Sequence, residues 1–313
     1  MKSSGITTVG EFHYFHHGLT ENQRFKYDET ILKAAETVNI RIVVLIAHYE
    51  HAGCEKQELS KIQKRFETKG FEEYLNNFKS LQNKTDGSPT QSVGVVAHSI
   101  RACQPETLKT LMDLSKSEKV AFHMHVEEQL AEIEQSKAAF GKTPLRCLLD
   151  NVDDQCDLSN FCLVHCTHTN LEDFTEYTKL GGNICVCPLT EGSLADGIPK
   201  FLDKTKVCVG TDSNLRIDFL EELRWLEYGQ RWRTQKRGHF SVSDLVDVAS
   251  VNGAKALNLE TVVGKIEAGF QADFTVLNMD SAVFDNEPFL NGNEFLAAAF
   301  FGAGAREVAE GLE

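Results

Sequence analysis

Seven short apolar runs recur along this 313-residue chain, and most of them close on a polar residue able to do chemistry. They are GITTVGEF (5–12), IRIVVLIAH (40–48), SVGVVAH (92–98), VAFHMH (120–125), NFCLVHC (160–166), NICVCP (183–188) and KVCVGTD (206–212). Segments with helical periodicity lie between them, among them TLKTLMDLSKSE, EEQLAEIEQSKAAF, NLEDFTEYTKLG and FLEELRWLEYGQRW. Most of the runs are continuously apolar, as strands buried on both faces are, and such strands form parallel sheets flanked by helices. Strand–helix units roughly 25 to 45 residues apart predict a (β/α)8 barrel, a fold of about 250 residues. An open, doubly wound sheet is the rival, but no GxGxxG phosphate loop follows any run. Glu11 and His13, His48, His98, His125, His165 and Asp212 stand at C-terminal strand ends, the face on which a barrel assembles its active site. Seven strands are one too few, so the expectation is a barrel lacking its first strand, open between GITTVGEF and KVCVGTD. The barrel is expected over residues 1–258, closing with one helix, SVSDLVDVASVNGAKALNL. Residues 259–313 are expected to form a partial β-segment, with two short strands in GKIEAGFQADFTVLN and a tail, AREVAEGLE, in place of the last strands.

A formal charge of −14, with no Lys/Arg cluster to offset it, argues against an electrostatic hold on nucleic acid or anionic membrane. The basic run around Arg231 to Arg237 reads as a solvated helix end. No apolar stretch reaches the ~18 residues that span a bilayer, and MKSSGITTVGEF lacks the apolar core of a signal peptide. Nine cysteines, several inside the apolar runs, read as free buried thiols in a reducing, cytosolic setting. The expected partner is a small molecule; a homo-oligomer is compatible with the composition.

The stretch HMHVEEQ (123–129) carries the chemistry. In a strand, His123 and His125 point to the same side. One buried histidine is most simply a core imidazole, but the pattern repeats at His98, at His165 with His168, and at Asp212 in GTDS. Imidazoles with one carboxylate suit Zn²⁺ or a similar divalent ion. A carboxylate that stays off the metal can move a proton from water to a leaving nitrogen, and Glu127 and Glu128 are both placed to do so. HVE matches half of the zinc-deaminase signature, but CVCP has one residue between its thiols where P-C-x-x-C needs two. CLVHCTH lies in an apolar strand and not a zinc knuckle, and Cys185 and Cys187 read as core.

Together with GITTVGEFHYFHH, QKRF (63–66), VGVVAHSIRA, LVHCTH, CPLTEGSLADGI, GTDSN followed by EELRWLEYGQR, and GKIEAGFQADFTVLN, this stretch resembles the amidohydrolase superfamily. The resemblance covers roughly residues 4–280. FHYFHH, HSIRA and LTEGSLADGI point to its N-formimino-L-glutamate deiminase branch, with guanine-deaminase-like enzymes more distant. The resemblance implies that His125 binds the metal and that Glu128 is the proton shuttle, which leaves Glu127 a neighbour and His123 a support. It implies that His165 orients the attacking water, and that Asp212 binds the metal and accepts a proton. Tyr14, His98 and Arg101 would hold the glutamate-like substrate, a guanidinium pairing naturally with a carboxylate. The implied reaction is metal-dependent hydrolysis of the formimino C–N bond in histidine degradation, giving N-formyl-L-glutamate and ammonia, with Zn²⁺ as the expected ion. The branch also carries a first strand ending in His-x-His, which this sequence does not show; FHYFHH matches the second-strand region. With His125 and Asp212 as the tether, loose zinc binding is expected. Two alternatives stand beside this reading: an inactive truncated paralogue or gene-model fragment, and a deaminase of an aminopurine ring. Arg101 counts against the ring, because a neutral base needs no carboxylate clamp.

Overall fold

The computed structural model describes residues 1–200, 203–284 and 292–312. Seven strands pair in chain order, each parallel to the next. They are β1 (Thr8–His13), β2 (Arg41–His48), β3 (Gln91–Ser99), β4 (Phe122–Val126), β5 (Phe161–His165), β6 (Asn183–Val186) and β7 (Val207–Val209). All seven fall within the apolar runs or a residue beyond them. The sheet curls as a half-barrel, and among the described residues no pairing joins β7 to β1. The expected open edge therefore lies where the sequence placed it.

Helices α1 (Lys26–Val38), α2 (Phe71–Thr85), α3 (Pro105–Glu118), α4 (Leu130–Phe140), α5 (Pro144–Leu149), α6 (Leu171–Lys179), α7 (Pro188–Leu194) and α8 (Phe219–Thr234) link the strands and follow β7. Local chemistry marks their starts. Proline opens α3 and α5, where a missing N–H costs nothing. The side chains of Asn170 and Asp218 cap α6 and α8.

The strands sort their side chains by alternation. Ile42, Val44 and Ile46 of β2, Val93, Val95 and Ala97 of β3, and Phe122, Met124 and Val126 of β4 join one large core with helix residues such as Tyr74, Phe78, Leu108 and Leu111. The Phe122 and Phe161 rings lie 4.5 Å apart there, and each such fully buried side chain contributes roughly 1.5–3 kcal/mol. The opposite faces form smaller inner clusters: Val43, Leu45, Ala47, Val96 and Ala121 in one, Cys162, Cys208 and Ala256 in another. Two buried faces explain why the runs are continuously apolar. The cysteines are all free, and Cys185 lies in the second inner cluster as a core residue would.

After β7 the structure departs from expectation twice. The single helix expected over 241–259 is two, α9 (Val242–Ala249) and α10 (Val251–Ala256). Ser250 breaks them with φ −134° and ψ −83°, which lets α10 turn inward and place Leu257 against the inner cluster. GKIEAGFQADFTVLN contains one strand, β8 (Phe274–Leu277), not two. Its earlier half turns at Gly264 and Gly269, both at φ +97°, and leaves Ile266 90% exposed, so no face is available to bury. The antiparallel partner comes from the tail, where AREVAEGLE supplies β9 (Val308–Leu312). Helix α11 (Gly292–Gly302) accepts a hydrogen bond from Arg224 of α8 at Phe300 O, 3.0 Å. Asp273 pairs with Arg41 at the start of β2. Among the described residues no helix is long and apolar enough to cross a membrane.

Candidate functional site

Strand β4 sets out the centre. His123 and His125 both face the barrel interior, at different depths. His123 Nε2 donates to Ala256 O at 2.7 Å and so ties the floor to α10. His125 sits higher, with its ring stacked on Phe12 at 4.0 Å and its Nδ1 3.1 Å from His98 O. A donor at Nδ1 satisfied by a backbone carbonyl leaves Nε2 to the mouth, the usual arrangement behind a metal-binding histidine. Glu127 then takes φ +53°, and the two glutamates diverge. Glu127 is buried and accepts from Leu145 N at 3.1 Å, meeting an orphan donor at the start of α5. Glu128 faces the mouth, 3.7 Å from His165 Nε2. One left-handed residue thus sends the two neighbouring carboxylates in different directions.

His165 reaches the centre through the same device. Strict alternation in β5 would point it with Phe161 and Leu163 into the helix-facing core. Instead His165 and Cys166 both have positive φ (75° and 52°), and the phase shifts. His165 Nδ1 lies 3.2 Å from Glu191 Oε1, and that oxygen also accepts from Cys187 N at 3.0 Å. Asp212, at φ +41°, completes the group. Its turn is held by Thr190, whose hydroxyl donates to Thr211 O and accepts from Ser213 N. Donor atoms of His125, His165 and Asp212 all lie within 4.8 Å of one another. Two imidazoles anchored through Nδ1, with a carboxylate beside them, fit a divalent cation, and these three side chains would hold it.

The electrostatics set the two imidazoles apart: His125 is held neutral, as a ligand must be, while His165 is favoured in its protonated form and would give up that proton to a cation. Burial, reinforced by His98, His165 and Arg101, holds His125 well below the usual histidine range and therefore neutral. Burial also opposes charge on His165, but the Glu191 hydrogen bond and the carboxylates of Glu128 and Asp212 outweigh it and raise its pKa. Burial lifts the Glu128 carboxyl, Asp196 and Asp212 adding to the effect and His165 and Arg101 opposing it. A carboxyl moved upward in this way is better matched to proton transfer near neutrality.

Tyr14, His98 and Arg101 gather beside the centre. The Tyr14 ring meets His98 edge-on at 5.1 Å and Phe66 at 4.9 Å. Burial, with Arg101 nearby, pushes His98 down to about 3, so it is neutral. Arg101 Nη2 is 3.9 Å from Glu128 Oε2. Two other strand-end histidines turn away. His13 Nε2 and His16 Nδ1 each lie 3.0 Å from Asp28 Oδ1 of α1, and His48 bonds Thr68 and pairs with Glu50. His168 is not among the converging donors. Sequence reasoning passed over Glu191, Phe12 and Tyr49, whose ring is 4.6 Å from His98. Glu191 had one available signal: a carboxylate three residues after the β6 run, at the start of a helix. A cavity of about 1230 Å³ opens between β1 and β7, lined among others by Phe12, Tyr14, His125, Asp212 and Leu257.

A parallel half-barrel with an imidazole–carboxylate cluster at the C-terminal strand ends is the arrangement on which barrel enzymes build metal centres. The sequence model of the Amidohydrolase family matches residues 1–311, and the chain belongs to that family. It is 33% identical, over an alignment 326 positions long, to formimidoylglutamate deiminase of Pseudomonas aeruginosa, covering 98% of this chain and 69% of that protein. It is 28% identical to the 5-methylthioadenosine/S-adenosylhomocysteine deaminase of Thermoanaerobacter pseudethanolicus, over 90% of this chain and 61% of that one. The chain thus spans between three-fifths and seven-tenths of the length of these relatives. Among solved structures, an amidohydrolase from Brucella melitensis superposes with a TM-score of 0.86 at 30% identity, over 99% of this chain and 69% of the other. An adenosine deaminase from Xanthomonas campestris with bound zinc, at 18% identity and a TM-score of 0.79, shares the fold over 99% of this chain and 65% of its own.

Glu191→Ala should free the His165 ring and lower Zn²⁺ affinity about 10–100-fold, the usual cost of losing a carboxylate behind a metal-binding histidine. Chelator competition measures it, and unchanged affinity would remove Glu191 from the site.

Proposed function

We propose that the chain carries the catalytic face of an N-formimino-L-glutamate deiminase, which adds water to the formimino carbon and releases ammonia and N-formyl-L-glutamate. The observation that supports this reading is Arg101, a half-exposed guanidinium at the mouth beside Glu128, His98 and Tyr14. It offers a carboxylate partner that a neutral purine ring lacks. His125, His165 and Asp212 would hold a divalent cation, for which zinc is our choice, and it would supply there the Lewis acidity that makes water nucleophilic near neutral pH. Glu128 passes a proton from the attacking water to the imine nitrogen; the second proton, from the hydroxyl of the tetrahedral adduct, goes to the same nitrogen as the carbonyl forms, so the C–N bond breaks with ammonia as leaving group. We take His165, its Nδ1 held by Glu191, as the third ligand and not as the residue that orients the water. Tyr14 and His98 close the side of the pocket. Nine free thiols suit a reducing, cytosolic setting.

The test is ammonia release by the zinc-loaded chain from N-formimino-L-glutamate, with guanine and 5-methylthioadenosine as competitors. Faster turnover of either purine moves the protein to ring deamination; no turnover of any of them favours an inactive paralogue. Arg101→Ala should raise KM for formiminoglutamate about tenfold or more with a smaller change in kcat, because its carboxylate partner is present in ground and transition states alike.

A further inference from the structure

Arg101 faces two glutamates, and the reaction above uses only one. Its Nη2 is 3.9 Å from Glu128 Oε2, while its Nε is 3.8 Å from Oε1 of Glu132 in the first turn of α4. The Glu132 side chain is wholly buried. Taking a carboxylate out of water is costly without a compensating charge. Arg101 is the cation within ion-pair distance among the described residues. Burial pushes the Glu132 carboxyl up to about 7, Glu127 and Glu128 adding to the rise and Arg101 opposing it, so the pair is fully charged only above neutral pH. The start of a helix favours an anion there as well. Without this second carboxylate, a guanidinium already 3.9 Å from Glu128 would close onto it and occupy both groups at once.

We propose that Glu132 is a positioning residue, which anchors the Nε side of Arg101, keeps the guanidinium off Glu128 and presents its Nη edge to a substrate carboxylate. The identity of that carboxylate rests on the deiminase reading; the pairing of Arg101 with Glu132 does not. A packing role and a charge role make opposite demands. Glutamine preserves the shape of Glu132 and removes its charge, whereas aspartate preserves the charge and leaves a gap.

The experiment uses the full chain with Glu132→Gln, Glu132→Asp and Arg101→Ala, each checked for folding by circular dichroism. Two quantities are read: water exchange of the Arg101 Nε–H by ¹⁵N NMR, assigned with Arg101→Lys, and calorimetric binding of N-formyl-L-glutamate. Glu132→Gln should speed Nε–H exchange and raise the dissociation constant, each about tenfold, the loss of a close ion-pair partner. Glu132→Asp should lie nearer the wild type in both. In the Arg101→Ala background, Glu132→Gln should change binding no further, and the uncharged diamide of the ligand should be insensitive throughout. Exchange unchanged in Glu132→Gln, tighter ligand binding, or a larger effect from Asp than from Gln would each overturn the proposal. Failure of the wild type itself to bind N-formyl-L-glutamate counts against the deiminase reading, and the exchange rates then decide the Glu132 pairing alone.

Discussion

Glu128→Gln is expected to cut ammonia release from N-formimino-L-glutamate by roughly 10²–10⁴, the usual value of a positioned acid–base group, while Zn²⁺ uptake stays unchanged. The side chain sits at the mouth 3.7 Å from His165 and outside the three converging donors, so its loss removes proton transfer and no ligand. Its carboxyl is lifted above the ordinary 4.5, chiefly by burial, so the acid limb of the wild-type rate profile should lie above that value. Activity then falls as pH drops through the raised pKa, because the base becomes protonated. Glu127→Gln should keep most of the rate, since glutamine still offers an oxygen to Leu145 N. A greater loss at Glu127 than at Glu128 would show that the proton shuttle is the other carboxylate.

Asp28→Ala should destabilise the chain by about 3–5 kcal/mol, the scale for breaking a buried ionic pair by removing one partner. Asp28 is fully buried. Its Oδ1 faces His13 and His16, and its Oδ2 accepts from Asn77 Nδ2 at 2.7 Å. His16 also bonds Ala47 O, so this carboxylate joins the end of β1, the loop carrying Tyr14, α1, α2 and β2. Burial works against the charged form, yet the pairing and hydrogen bonds with His16 and His13 outweigh it and hold the carboxyl well below its usual range. A folded-state pKa depressed in this way contributes stability above the unfolded value of about 3.9, and that contribution is lost as pH falls further. Urea unfolding at neutral pH should show the loss, and the acid decline below about pH 4 should be shallower in the variant than in the wild type. A cost under about 1 kcal/mol would mean that Asp28 is an ordinary surface-like residue and no brace.

The strands, their order and the helices between them were legible because burial on both faces leaves a mark on composition. Any seven-strand parallel reading of IRIVVLIAH or NFCLVHC requires apolar residues throughout, and proline and capping residues punctuate the rest. The same uniformity hid orientation. A continuously apolar run does not say which residues face the centre, so His13 and His48 looked equivalent to His98 and His125, although they turn toward the helices. The tail was misjudged for a related reason: β9 is a strand only because β8 lies beside it, a pairing across thirty residues that local pattern does not carry.

At the site, the residue types were written in the sequence: histidines and acids at strand ends, with an arginine in the following turn. Their use was decided by backbone conformation and by distant partners. Left-handed φ values at Glu127, His165 and Asp212 break the two-residue period that strand reasoning assumes, and they aim one glutamate inward to α5, the other to the mouth. Glu191 and Glu132 acquire their meaning from His165 and Arg101, 26 and 31 residues away in the chain. Short-range periodicity is set by sterics and burial within one element and can be read residue by residue. A proton's path or an ion's ligands depend on distances of 3 to 4 Å between elements, and only the closing of the sheet brings those side chains together.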